Sequence, residues 1–331
     1  MKKLTLQEKI LKYIKHNKRS NLVIVLVMLV ISIISIYFVN RTYTPIEVES
    51  FETENSPTIF YTGNLYLQEY NDIFESEHFL TSLQGPLLEN ELSFTNVVLD
   101  KRVKNKNEQI NEIQDNYFTD LTFFNKNVPY VDLVDVERNI GLSLENPSLE
   151  DVVEHNVGEK KISFLSFVDK SSKFISSEIP QINHELEPSF FLPRIKQLNS
   201  DSDLIIVSVT WGIPNEREVT TRQRELAHAL SDAGVDIIIG NNSVVQEIEK
   251  YNDTVIFYSL GNLVSNDYIS NYKKSIVVQH DIENDQFKVT PVQYKHGTLT
   301  KNNLNFFEQK TLFQQMPTHT SYKDGEFYFE Q

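Results

Sequence analysis

Leu204-Ile-Ile-Val-Ser-Val-Thr210, Val235-Asp-Ile-Ile-Ile-Gly240 and Thr254-Val-Ile-Phe-Tyr-Ser-Leu260 are three apolar, β-branched or aromatic runs of strand length. Between the first two, Thr220 to Ala233 reads as a helix with both ends marked. Thr220 and Gln223 have capping-box spacing, Leu226, Ala227, Leu230 and Ala233 share a face, and Gly234 stands at the C′ position. Val244 to Lys250 is expected as a second, short helix. Buried strands alternating with helices imply a mainly parallel sheet covered on both faces. Working outward, Ile162 to Val168 reads as a further strand. Ser275 to His280 and Gln286 to Val292, joined through Glu283-Asn-Asp285, read as a closing hairpin. Upstream, Thr58 to Tyr61 and Phe94 to Leu99 are short strand candidates, and Lys101 to Asp115 reads as a charged surface excursion or an exposed helix.

In such a sheet ligands bind beyond the carboxyl ends of the strands. The loops there read Thr62-Gly63-Asn64, Thr210-Trp211-Gly212, Gly240-Asn241-Asn242-Ser243 and Gly261-Asn262. All four carry glycine although the chain has only 10, which points to tight turns meeting at one place. Asn64, Asn241, Asn242 and Asn262 could line a polar pocket there, or serve only as turn residues that tolerate left-handed backbone. Trp211 reads first as a packing residue and second as a ligand platform. Arg222 and Arg224 are expected on a solvated helix face, and His228 as a partly exposed structural histidine.

The first twenty residues hold Lys2, Lys3, Lys9, Lys12, Lys15, Lys18 and Arg19 against Glu8 alone, and an uncharged apolar run follows from Leu22 to Val39. Such a run spans a hydrocarbon core of about 30 Å as a helix. The basic flank places the N-terminus in the cytoplasm and the rest of the chain outside. An uncleaved anchor is preferred to a signal peptide because the apolar run is long and no small-residue cleavage site follows it. Leu4, Ile10, Leu11 and Ile14 recur at near-helical spacing among the lysines, as in a helix lying on anionic lipid, with a solvated basic tail as the alternative. The expected organisation is a cytoplasmic tail (1–20), a transmembrane helix (21–40), a linker (41–57), an extracytoplasmic domain (58–295) and a C-terminal extension (296–331).

The net charge is −15, and setting the basic anchor aside leaves the outer part at about −22, which disfavours nucleic acid as a partner. There is no cysteine, so a metal site would need histidine and carboxylate ligands. The eight histidines offer no His-x-His or His-x-x-x-His spacing, and neither a Gly-x-Ser-x-Gly elbow nor a glycine-rich phosphate loop occurs.

The stretch from Leu204 to Val264 resembles the C-terminal half of the CapA/PgsA proteins of poly-γ-glutamate capsule synthesis. The resemblance is carried by Thr210-Trp-Gly212, Arg222-Gln-Arg-Glu-Leu-Ala227, Ser231-Asp-Ala-Gly234, Asp236-Ile-Ile-Ile-Gly240, Ile248-Glu249-x-Tyr251 and Val255-Ile-Phe-Tyr-Ser-Leu-Gly-Asn262. Tyr61-Thr-Gly-Asn64, Asn96 and Phe167-Val-Asp169 extend it more weakly into the N-terminal half, and the basic tail with one span is also the family's layout. The resemblance implies an α/β fold, a calcineurin-like metallophosphatase-type sandwich of two β-sheets flanked by helices, with metal ligands on the strand-end loops. This chain departs from the family at those ligands. The family's Gly-Asp is Gly63-Asn64, and its Asn-x-Glu is Asn96 followed by Val97 and Val98. Its Asn-Asn-His aligns with Glu137-Arg138-Asn139, its His-Trp-Gly with Thr210-Trp211-Gly212, and its Gly-His-His-Pro-His with Gly240-Asn241-Asn242-Ser243-Val244.

Neutral amide and hydroxyl oxygens alone do not hold a hydrolytic divalent cation. The expectation is therefore a membrane-anchored, non-catalytic subunit without cofactor, with a degenerate pocket of Asn64, Asn96, Arg138, Asn139, Thr210, Trp211, Asn241, Asn242 and Asn262. Its expected partners are the membrane subunits and cytoplasmic ligase of a poly-γ-glutamate synthase complex, and the anionic polymer itself. The alternatives are a metal-dependent hydrolase or transferase acting on poly-γ-glutamate or a phosphoester, and a cell-wall polymer-binding module.

Overall fold

A computed structural model describes residues 6–16, 18–42, 56–67, 92–99, 123–124, 152–169, 188–264, 274–295 and 298–331. Two helices come first, α1 (Leu6–His16) and α2 (Lys18–Thr42). Leu22 and the residues from Val25 to Tyr37 on α2 expose their side chains on every face of the helix. Among the described residues no helix is long and apolar enough to cross a membrane, the α2 side chains at 18–21, 23, 24 and 38–42 falling outside them.

The strands that follow form two sheets. In the first, β1 (Thr58–Leu67) runs parallel to β2 (Leu92–Leu99), which pairs with the short β3 (Phe123–Phe124). On its other side β1 pairs antiparallel with β11 (Lys274–Asp281) and, further along, parallel with β10 (Asn262–Val264). The expected hairpin is present: β11 pairs antiparallel with β12 (Gln286–Lys295). β13 (Thr298–Lys301) and β15 (Glu326–Glu330) both add to β12, and β14 (Ser321–Lys323) adds to β15. The residues read from sequence as an extension, 296–331, thus contribute strands to this sheet, and Phe327 and Phe329 to its core.

The second sheet has the order β4-β5-β6-β7-β9-β8, with β4 (Val153–Val157), β5 (Lys160–Val168), β6 (Leu204–Thr210), β7 (Ile237–Asn241), β8 (Ile248–Tyr251) and β9 (Thr254–Phe257). Its centre, β5 through β9, is parallel, as the alternation of strands and helices requires. Every residue of β6 is buried because both faces are covered. Ile206, Ile237, Ile239 and Phe257 face the first sheet and meet Ile59, Tyr61, Phe94 and Val278 there. Ile205, Val207, Val209 and Ile238 face the other way, onto helices α3 (Pro188–Leu198) and α4 (Thr221–Asp232). The mixed α/β sandwich of two sheets with flanking helices is therefore present.

Helix α4 has the ends its sequence specifies. The Thr220 side chain accepts from the Gln223 N–H, Gln223 Oε1 accepts from the Thr220 N–H, and Gly234 follows the Ala233 C-cap. The short helix expected over Val244 to Lys250 is not formed. The Gln246 N–H is donated to Ser259 O, and the Tyr258 N–H returns to Glu247 O, so this backbone is spent on its neighbour rather than on i→i−4 bonds. The Gln246 side chain is also taken, bonding Gln223, Glu216 O and Glu218 O. The segment therefore continues as β8, antiparallel to β9.

The buried residues include a histidine. His280 on β11 is fully buried, its ring stacked on Phe287 at 4.1 Å, with Nδ1 3.2 Å from the Tyr61 hydroxyl and no partner for Nε2 among the described residues. Burial, reinforced by the nearby Lys160 ammonium, lowers its pKa to about 3. The unfolded chain thus binds a proton at His280 between about pH 6.5 and 3 that the folded chain refuses, so stability is complete above pH 6.5 and falls on acidification. The expected slope from this residue is about 1.4 kcal/mol per pH unit within that window. Chemical denaturation at pH 7 and pH 5 should show a smaller acid loss in His280→Gln than in the parent; equal losses would contradict the assignment.

Candidate functional site

The interior of β1 and β2, the carboxyl end of β7 and the start of β10 meet where the two sheets face each other. Asn64 sits at the irregularity in β1, between the Tyr61 and Asn64 registers with β2 and at the shift relative to β10. Its backbone N–H is donated to Gly261 O at 2.9 Å. Its side-chain Nδ2 donates to Asn242 O at 2.9 Å and to Asn262 Oδ1 at 3.2 Å. Asn96 Nδ2 donates to Asn64 Oδ1 at 2.6 Å. The backbone carbonyl of Asn242 can only accept, which fixes the orientation of the Asn64 amide and hence of the whole chain of bonds. Asn242 is held as well: its Nδ2 donates to Ile213 O, its Oδ1 accepts from the Ser243 N–H, and its carbonyl also accepts from the Ser259 hydroxyl.

This cluster is closed. Asn64, Asn96, Asn242 and Asn262 are between 0% and 3% exposed. Their amides bond one another and the backbone, as buried polar groups in a low-dielectric setting must. Close approach of the backbones permits this. A Cβ added at Gly63 would meet Gly261 O at 2.2 Å, and one at Gly240 would meet Tyr258 O at 2.1 Å.

The other expected site residues are placed around this cluster. Asn241 is buried and donates to the Ser208 hydroxyl at 2.9 Å, away from Asn64. Thr210 ends β6 and its carbonyl accepts from the Asp169 N–H. Trp211 lies in the core rather than lining a pocket: it is fully buried, its ring stacked on Tyr258 at 5.7 Å and its Nε1 donating to Tyr258 O at 2.9 Å. Arg138 and Asn139 lie outside the described residues.

Residues 139–267 match the family model described as bacterial capsule synthesis protein PGA_cap. Over those residues the chain is similar to the CapA/PgsA family. It is 33% identical over 178 residues to the PGA biosynthesis protein CapA of Bacillus subtilis (strain 168), a match covering 51% of this chain and 47% of that protein. To the capsule biosynthesis protein CapA of Bacillus anthracis it is 24% identical over 363 aligned positions, covering 97% of this chain and 88% of that one. The chain thus spans about half the length of the first relative and most of the second. Among solved structures it is similar to a 5'-nucleotidase of Staphylococcus aureus (TM-score 0.42, 14% identity, 78% of this chain and 58% of that one). It is also similar to GAP50 of Plasmodium (TM-score 0.43, 16% identity, 75% and 90%).

The metal that the resemblance to the CapA/PgsA proteins implies does not fit the residues described at these strand ends. Divalent-cation sites are built on carboxylates and imidazoles, whereas Asn64, Asn96, Asn242 and Asn262 are neutral and their bonds run to one another and to the backbone. Among the described residues no group of three or more histidine, cysteine or acidic side chains is arranged to hold a metal.

The sequence did not reveal the ion pair beside the cluster. Asp169, 2% exposed at the end of β5, accepts bidentate bonds from Arg222 on α4, Nε to Oδ2 at 2.9 Å and Nη2 to Oδ1 at 2.9 Å. Arg222 thus clamps α4 to the second sheet and is not simply solvated. Arg224 likewise bonds Glu247 and Glu249, each at 2.7 Å, and lies 5.3 Å from the centre of the Tyr258 ring. His228 keeps the structural place expected of it, stacked 3.7 Å from Tyr251 and bonded to Glu249. An acid directly after an apolar strand, as in Phe167-Val-Asp169, is the signal that could have marked the clamp. A cavity of about 210 Å³ lined by Val244, Val245, Ile276, Pro291, Leu304 and Leu312 opens between β11, β12 and helix α5 (Phe306–Phe313) and not at the asparagines.

Asn64→Asp, a near-isosteric change to the family's residue, turns a donor facing Asn242 O and Asn262 Oδ1 into an acceptor. Unfolding free energy is expected to fall by about 3–5 kcal/mol at neutral pH, against about 1 kcal/mol for Asn241→Ala, which gives up a single hydroxyl bond. Urea titration of both variants measures the difference; equal effects would contradict the network.

Proposed function

We propose that this chain is a membrane-anchored, extracytoplasmic subunit that supports synthesis or export of a poly-γ-glutamate capsule without metal-dependent catalysis of its own. The observation that carries the reading is the closed asparagine cluster at the place where the family's resemblance puts metal ligands. A site able to lower the pKa of a bound water needs anionic or imidazole ligands and an open coordination position. The described residues there offer amides already committed to each other and to the backbone.

The relatives' names supply the polymer, since both are capsule or PGA biosynthesis proteins. Anchoring is supported by the uncharged run Leu22 to Val39 and by the apolar side chains that α2 presents on all faces, a pattern that calls for an apolar surrounding. The lysines and arginine before it put the N-terminus in the cytoplasm. The domain outside carries an excess of acid, so a polyanionic product would be repelled from most of its surface. That favours a role in organising the membrane subunits and the cytoplasmic ligase of the synthase complex over one of coating the polymer.

In cells that make the polymer, loss of this chain should abolish surface polyglutamate, and the tagged chain should co-purify from membranes with the synthase subunits. The purified chain, supplied with manganese, zinc or calcium, should hydrolyse neither poly-γ-glutamate nor a phosphodiester. Metal-dependent turnover of either substrate would overturn the non-catalytic reading, and unaltered surface polymer would overturn the role in the capsule.

A further inference from the structure

Helix α1 presents a two-sided surface that the outer domain does not explain. Leu6 is 75% and Tyr13 60% exposed. At about 100° per residue, positions 6, 10, 11, 13 and 14 fall on one arc of the helix, occupied in sequence by Leu, Ile, Leu, Tyr and Ile with Gln7 among them. The opposite arc holds Lys9, Lys12 and Lys15, all exposed, together with Glu8 and His16. The three lysines, at i, i+3 and i+6, are spread across that arc, so Lys12 is central while Lys9 and Lys15 stand at its two borders with the apolar face. Lysines at such borders can lay their methylene stems along apolar surface and carry the ammonium to charged groups at the edge.

We propose that α1 lies flat in the headgroup region of an anionic lipid leaflet, its apolar arc turned toward the acyl chains and Lys9 and Lys15 reaching lipid phosphates. This rests on the anchor reading, because α2 begins at Lys18 and so brings α1 to a bilayer surface. Charge selects the lipid: the tail has seven cationic residues and one acid through residue 20, and a basic amphipathic helix binds negative leaflets through buried apolar area and electrostatic attraction together. The helix would then fix the entry angle of α2 and present the cytoplasmic side of the protein in one orientation.

The chain has no cysteine, so a single Tyr13→Cys or Lys12→Cys substitution gives one labelling site for an environment-sensitive fluorophore. The full chain is reconstituted into vesicles of phosphatidylcholine alone or with phosphatidylglycerol, and flotation after an alkaline wash is scored in every sample. The expected result is a blue shift and protection from aqueous quencher at position 13 only in the phosphatidylglycerol vesicles, with the position 12 label in water in both. Lys9→Gln, Lys12→Gln and Lys15→Gln together should abolish the shift, since each lysine near such a surface is worth roughly fivefold in partitioning. A chain that floats while its position 13 label stays in water overturns the docking of α1 and leaves the anchor standing. A chain that does not float overturns the anchor, and the docking with it.

Discussion

The Asn64 side chain is the point on which the two sheets are fastened. Both of its donors and its acceptor are used, one donor crossing to the backbone of Asn242 just past β7 of the second sheet, the other bonds running within the first sheet to Asn262 and Asn96. A buried amide with every bond made rigidifies its surroundings, while the same amide missing a partner is costly. This is why Gly63, which allows β1 to approach Gly261, belongs to the same device. In a metal-binding relative of such a fold a cation drawing ligands from several loops would tie these strand ends together; here neutral hydrogen bonds do so, leaving no anionic ligand at the junction among the described residues.

Much of the second sheet was legible because its signals are local. The runs at Leu204 and Val235 are too uniformly apolar to be anything but doubly covered strands, and the Thr220–Gln223 cap with Gly234 brackets α4 at both ends. The stretch at Val244 misled because its apolar spacing fits a helix as well as a loop leading to a strand. What decides it is the distant pairing of Gln246 with Ser259 and with the 216–218 backbone, which periodicity does not contain. The strands after residue 296 were missed for a related reason: Phe327 and Phe329 alternate as a strand with one buried face should, but their partner, β12, is separated from them by a helix.

At the candidate site, the convergence of Asn64, Asn241, Asn242 and Asn262 on one set of strand ends could be read from the order of strands and glycines. Whether they made a pocket or a lock could not, because that depends on distances of a few tenths of an ångström between amides. The Asp169–Arg222 clamp escaped notice for the same reason: Arg222 looks solvated by helical position alone, and only the third dimension brings a buried carboxylate beneath it. Resemblance supplied the family, and the departures from its ligand pattern gave the functional reading its direction. The closed cluster supplies the physical reason why those departures hang together.

The most direct test of that account is the metal dependence of stability. Thermal unfolding of the full chain in detergent is compared with chelator and with manganese, zinc or calcium in excess. A cation bound only to the folded state at a hundred times its dissociation constant would add about 2.7 kcal/mol and raise the midpoint by several degrees. The account predicts superimposable transitions in all four conditions. A midpoint raised by one of the cations, and lost again on chelation, would mean that the folded chain holds a metal after all.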